Sequence, residues 1–117
     1  AALAAGALDA GWPVIVDAAF LRRGERQRFA ALADARRCPF AILHCHAPMA
    51  LLRERVAARE RRGGDPSEAG AAVLERLAGL AEPLDADEQA RTIDADTAGA
   101  VDVAALGRRW RGDRGRL

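Results

Sequence analysis

Apolar and polar positions alternate along this chain between two patterns. Short unbroken apolar runs mark buried strands, and longer stretches with apolar residues at helical spacing mark helices. Pro13 to Val16 is a continuous, β-branched run of the kind that forms a strand buried on both faces. Phe40 to Cys45 (FAILHC) repeats that pattern, and Arg91 to Ala95 (RTIDA) repeats it weakly. Between them, Ala1 to Ala10 reads as a helix ending at Gly11, and Ala18 to Arg23 reads as a loop. Glu25 to Arg36 reads as a helix that turns Phe29 and Leu32 to the core.

Pro48 opens a long helix at its first position, where a missing N–H costs nothing. It runs to about Arg62 and stops at Gly63 and Gly64. Asp65, Pro66, Ser67 and Glu68 form a capping-box-like restart for a further helix to about Ala78. Glu82 to Asp87 reads as a loop. Asp96 or Thr97 caps a last helix through about Trp110, and Arg111 to Leu117 is a polar, glycine-broken tail that should fray. The order α, β, α, β, α, α, β, α predicts a parallel sheet of about three strands with helices on both faces.

Composition narrows the reading. The 117 residues suffice for one small domain. Half are hydrophobic but only 4% are aromatic, so the core must be aliphatic and rich in alanine. The net charge of +1 implies neither a general nucleic-acid surface nor a membrane surface. All 18 basic residues are arginine. Cys38 and Cys45 make no disulfide framework and read as reduced thiols of a cytoplasmic protein. No stretch reaches the ~20 apolar residues of a membrane helix. The chain starts without methionine, and it reads as a fragment or a processed product.

Candidate chemistry sits at strand ends, where open parallel sheets bind ligands. Asp17 ends the Pro13–Val16 run in WPVIVDAAF. It is either a metal-holding acid of the Walker B type, or a helix cap or ion-pair partner of Arg22 or Arg23. In MALLRERVAARERR, Met49, Leu52 and Val56 form the core stripe beside an arginine stripe of Arg55, Arg59 and Arg62. That stripe is either a clamp for phosphates or a solvated basic face. The glycine break after it suits the hinge of a closing lid. His44 and His46 share a strand face, but two histidines leave a zinc site short of ligands, so they read as packing groups. Trp12 and Trp110 read as packing residues too.

Together, VIVDAAFLRRGERQRF, PFAILHCHAP, LLRERVAARE, DPSEA, EPL and IDADT resemble the second half of a P-loop kinase-like ATPase domain. The likeness is to the kind often found after an aminoglycoside-phosphotransferase-like domain, with zeta toxins, gluconate kinases and phage polynucleotide kinase more distant. The resemblance implies a single incomplete three-layer α/β/α domain over residues 1–117, with an α-helical lid at about 48–79. It implies ATP and Mg²⁺ as cofactors. Asp17 would hold the metal, through water. Arg55 and Arg59 would act on the transferring phosphoryl group, and Arg22, Arg23 and Arg26 would lie on the acceptor side. Asp96 and Thr97 would lie near the adenine. Asp65 and Ser67 match the turn that closes the lid.

The departure is equally specific. A phosphate-cradling GxxxxGK[ST] needs a lysine, and this chain has none. The resemblance implies that the first strand, the P-loop and the second strand lie upstream. The first strand would sit between the strands at Pro13–Val16 and Phe40–Cys45. Either a gap with two unpaired edges remains there, or Val14 to Val16 pairs directly with Ala41 to Leu43. Unpaired edges invite association, with a missing N-terminal half or otherwise.

The expected function is therefore part of a kinase that moves the γ-phosphoryl of ATP to a small hydroxyl-bearing acceptor, inactive as this chain alone. The alternative is a non-catalytic module that binds an anion or a protein partner through the arginine stripe.

Overall fold

A computed structural model describes residues 1–63 and 69–115. Strand β1 (Ile42–His46) pairs in parallel with β2 (Thr92–Asp96), with Leu43 opposite Ile93 and Cys45 opposite Ala95. The alternation of a pleated strand is plain in β2, where Ile93 and Ala95 are buried and Asp94 is exposed. The N–H of Ile42 donates to the Arg91 carbonyl at 2.9 Å, and that of Thr97 to the His46 carbonyl at 2.8 Å. The parallel ladder thus reaches one residue past β2 at each end.

Helices α1 (Ala2–Asp9), α2 (Arg23–Ala35), α3 (Met49–Arg62), α4 (Ala69–Leu80), α5 (Ala86–Ala90) and α6 (Val103–Gly115) complete the described chain. The class is α/β with a short parallel sheet, as expected of part of a P-loop fold. Gly11, at φ 88°, takes the left-handed position that ends α1. Helices α3 and α4 pack closely at Gly70, where an added Cβ would lie 2.6 Å from Val56 Cγ1. Across the same pair, Arg53 bonds Glu75 at 2.7 Å.

Several expectations are corrected. Pro13 to Val16 is no strand: it joins no ladder, and Ile15 is 91% exposed. A β-branched run favours an extended backbone, but a strand also needs a neighbour to bond. Among the described residues the sheet has two strands, not about three, and residues 14–16 do not pair with β1. Trp12 is exposed rather than packed.

The expected loop at Glu82–Asp87 contains the start of α5. Its signal is a capping box: the Asp85 carboxylate accepts the Glu88 N–H at 2.8 Å, and Glu88 accepts the Asp85 N–H at 3.3 Å. Helix α6 starts at Val103, not after Asp96 or Thr97. Asp102 accepts the Ala105 N–H at 2.9 Å, while Asp96 closes a local turn by accepting the Ala98 N–H at 2.8 Å. The same helix continues past Trp110 to Gly115. The restart at Asp65, Pro66, Ser67 and Glu68 lies outside the described residues.

The interior is thin. Among the described residues the buried apolar side chains are Ala4, Ala33, Ile93 and Ala95. The radius of gyration is 16.7 Å, against about 13 Å for a compact chain of this length. Polar ties therefore matter more than usual. Arg26 of α2 is buried and donates Nε to Glu88 Oε2 at 2.6 Å and Nη2 to Oε1 at 3.1 Å. It also donates Nη1 to the Phe20 carbonyl at 2.9 Å and Nη2 to the Pro83 carbonyl at 3.3 Å. Phe20 holds a left-handed φ of 48°, a strained setting for a side chain with a Cβ. Its bond from Arg26 and an edge-on contact with Phe29, centroids 5.5 Å apart, hold it there.

The Arg26 hydrogen bond lowers the Glu88 carboxyl below the usual range; burial opposes that shift, and the Asp85 N–H reinforces it. A depressed carboxyl stabilises the fold above its unfolded pKa, about 4.3, and that contribution is lost as pH falls through the folded value. On acidification below about pH 4.3, the urea midpoint of the wild type should fall more steeply than that of a Glu88→Gln variant. Parallel slopes would show that the pair contributes no pH-dependent stability.

Candidate functional site

The carboxyl ends of β1 and β2 lie side by side, with His46 opposite Asp96. Thr97 follows and ties the two ends together: its N–H and its hydroxyl both donate to the His46 carbonyl, the hydroxyl at 3.0 Å. Helix α3 leaves the end of β1 through His46, Ala47 and Pro48, which brings its second turn back over this point. From there Arg55 reaches down. Its Nη1 donates to Thr97 Oγ1 at 2.9 Å, and its Nη2 donates to the Thr97 carbonyl.

Two residues singled out for different roles, a lid arginine and a strand-end threonine, thus meet in one hydrogen-bonded cluster. Asp96 sits beside them, exposed, with one carboxylate oxygen spent on its own turn. Arg59 lies one turn further along α3, is exposed, and has no side-chain partner among the described residues. A guanidinium so placed is free to meet an anion.

The other candidates stand apart. Asp17 is exposed at the end of the Pro13–Val16 run and pairs with neither Arg22 nor Arg23 among the described residues. Arg22 is the residue before α2, and Arg23 faces Asp85 at 3.5 Å. Arg26 is committed to Glu88 and two carbonyls, which leaves its guanidinium holding the fold together.

Sequence reasoning missed a cluster on the exposed face of the sheet. Asp94 lies opposite His44, with its Oδ2 2.6 Å from His46 Nε2 and its Oδ1 3.4 Å from His44 Nδ1. The hydrogen bond from His46 holds the Asp94 carboxyl below its ordinary range. The H-x-H pattern was visible, but its acidic partner lies 48 residues away on the other strand.

On the opposite side, the unpaired segment 14–16 and β1 wall a cavity of about 660 Å³. Phe29 and Leu32 of α2 and Trp110 of α6 also line it.

A protein-family model described as an AAA domain matches residues 1–84, which is 84 of the 117 positions. The chain belongs to this AAA domain family. No curated protein and no solved structure matches it. The AAA domain match spans Asp17, Arg55 and Arg59, while Asp96 and Thr97 lie beyond it. Such domains are nucleotide-binding P-loop modules of the kinase and ATPase kind, and they generally bind ATP with Mg²⁺.

The residues of this AAA domain chain fit one side of such a site. They offer an exposed carboxylate at Asp17 and guanidinium groups at Arg55 and Arg59. They do not fit the phosphate cradle, for want of any lysine. Among the described residues, no three carboxylate, imidazole or thiol groups come together to hold a metal ion. No described helix is long and apolar enough to cross a membrane.

The Arg55–Thr97 tie can be measured. Thr97→Val removes the hydroxyl from two hydrogen bonds while keeping the side-chain shape. A stability loss of about 1–2 kcal/mol in urea unfolding is expected. An unchanged midpoint would mean that α3 is not held to the strand ends through this hydroxyl.

Proposed function

We propose that this chain is the acceptor-side and lid-side part of an ATP-dependent P-loop kinase akin to zeta toxins and gluconate kinases. It would act on a small hydroxyl-bearing acceptor. The observation that carries the reading is Arg55: a lid-helix arginine that lands on Thr97, at the strand end assigned to the nucleotide. Arg59, one turn away with no partner among the described residues, is the second guanidinium of a clamp.

In the transfer, the bond from the γ-phosphorus to the ADP oxygen breaks as a bond to the acceptor oxygen forms. Charge spreads over the three equatorial oxygens, and forked arginine donors suit it. Asp17 would hold the metal through water. A bound Mg²⁺ would supply positive charge to offset that of the phosphates. Arg22 and Arg23 are assigned to the acceptor side. The acceptor hydroxyl proton goes to a base outside the residues assigned here, and phosphate cradling also falls to residues outside this chain. The 117 residues alone are thus expected to turn over no ATP.

A second reading draws on the absence of lysine: a non-catalytic module that binds an anion or a protein through the arginines of α3. The two readings part in a binding assay. A nucleotide site requires Mg²⁺ and separates ATP from pyrophosphate, whereas a simple basic face does neither and weakens steeply with salt.

The deciding experiment is to sequence the coding DNA upstream of the Ala1 codon, in frame. A GxxxxGK[ST] within one strand–helix–strand length supports the kinase. A stop codon, or a start with no such loop, overturns it in favour of the module.

A further inference from the structure

We infer that the exposed face of the sheet carries a site for one divalent transition cation of the zinc class, with His44, His46 and Asp94 as its ligands. The site is independent of phosphoryl transfer.

Successive side chains of a strand point to opposite faces, so His44 and His46 share one face of β1 and Cys45 takes the other. The ladder sets Asp94 of β2 directly opposite His44. Its register is pinned at both ends, by the Ile42 N–H on the Arg91 carbonyl and the Thr97 N–H on the His46 carbonyl. The two rings lie 5.4 Å apart between centroids and 33° from parallel. Each brings a nitrogen to the same carboxylate: His46 Nε2 is 2.6 Å from Asp94 Oδ2, and His44 Nδ1 is 3.4 Å from Oδ1. Two imidazoles expected to pack thus stand exposed or half-exposed, and the ligand their own strand lacks comes from the neighbouring one. Asp96 lies opposite His46 on the same face, with one oxygen on the Ala98 N–H, and adds negative charge beside the site.

Distances decide what must move. Two donors, each about 2.0–2.1 Å from a tetrahedral zinc, stand about 3.4 Å apart. The His44–Asp94 gap of 3.4 Å already has that width. The His46–Asp94 gap of 2.6 Å is narrower, so as they stand the three groups do not hold an ion. Opening it by about 0.8 Å takes a turn of the Asp94 side chain. That side chain is 61% exposed and, among the described residues, bonds to the two rings alone. Its carboxyl, held below the ordinary range by His46, is ionised and ready to bind.

The donor set selects the ion. Two imidazoles and one carboxylate suit zinc, nickel or copper(II), whereas magnesium and calcium take oxygen. Three protein ligands leave the fourth tetrahedral position to water. The far nitrogens of both rings have no partner among the described residues, so affinity is modest. A bound ion joins β1 to β2 and stabilises the fold by mass action.

His44 and His46 are the two histidines of this chain, so imidazole proton NMR signals report on the site directly. Zinc chloride titrated into the wild-type chain shifts both rings with one midpoint, at one ion per chain, and raises the urea midpoint. Magnesium chloride does neither. His46→Asn and Asp94→Asn each weaken zinc binding about tenfold or more. Both replacements are at exposed or half-exposed positions, and urea unfolding of the ion-free variants checks that they fold. Cys45→Ala, on the other face, binds zinc as the wild type does. Unmoved rings, or a shift of one ring alone, overturn the inference. So does an Asp94→Asn variant that binds as tightly as wild type, which leaves only a bare histidine pair. Loss of binding in Cys45→Ala gives the ion to a thiol instead, and one ion per two chains gives it to a bridge between copies; either result overturns the site.

Discussion

Replacing Arg59 by alanine in the P-loop-bearing protein slows phosphoryl transfer by about 10³-fold or more, as loss of an arginine finger does. The loss falls on kcat more than on KM for ATP, because the guanidinium acts on charge that grows in the transition state. Arg59→Lys keeps the charge but not the fork, and recovers only part of the rate. The structure explains why Arg59 is the sharper test of the two lid arginines. Arg55 already donates to Thr97, so its removal disturbs stability as well as chemistry. Arg59 has no such tie among the described residues, and its removal should leave the unfolding midpoint within about 0.5 kcal/mol of wild type. Steady-state kinetics settle the point: a variant with wild-type turnover takes Arg59 out of the clamp.

The second large effect is on the fold. Arg26→Ala should destabilise the chain by about 3–5 kcal/mol, because it strands the buried Glu88 carboxylate. The two share a bidentate pair at 2.6 and 3.1 Å, and Arg26 also satisfies two carbonyls. With so few buried apolar groups among the described residues, such a loss can exceed what remains. Arg26→Lys and Glu88→Gln keep the measurement readable where the alanine variant does not fold. Joint replacement by apolar residues of similar size, Arg26→Met with Glu88→Leu, should recover much of the loss, since no charge is then left buried. Urea unfolding of the four variants forms the test. An Arg26→Ala variant as stable as wild type would show that the pair is not buried in solution.

The elements legible in the sequence are those that local chemistry decides. FAILHC and RTIDA yield β1 and β2 within two residues, and Pro48 and Gly63 bracket α3. Pro13 to Val16 misled because β-branched residues report an extended backbone, not the presence of a neighbour to bond. Asp96 misled because two aspartates could cap; Asp96 serves a turn and Asp102 the helix. The box of Asp85 and Glu88 is a local signal, a carboxylate three residues before a glutamate, and it starts α5 inside the stretch expected as a loop.

The site was legible as parts rather than as an arrangement. Arg55 and Thr97 each carried a signal, but their meeting spans 42 residues. The commitment of Arg26 to Glu88 spans 62, and no local pattern announces such a pair.

The ion pairs carry one more consequence. Arg23–Asp85, Arg26–Glu88, Arg36–Asp9, Arg53–Glu75 and Arg91–Asp34 all use arginine as the cation. Lysine and tyrosine are the side chains that change charge near pH 10, and this chain contains neither. Their partner carboxylates raise Arg26 and Arg36 further above an already high value. Alkali therefore has no handle on these clasps. Acid does reach the Arg26–Glu88 and Arg91–Asp34 clasps, whose carboxyls are held low by their arginines, so these two clasps answer to pH from the sour side alone.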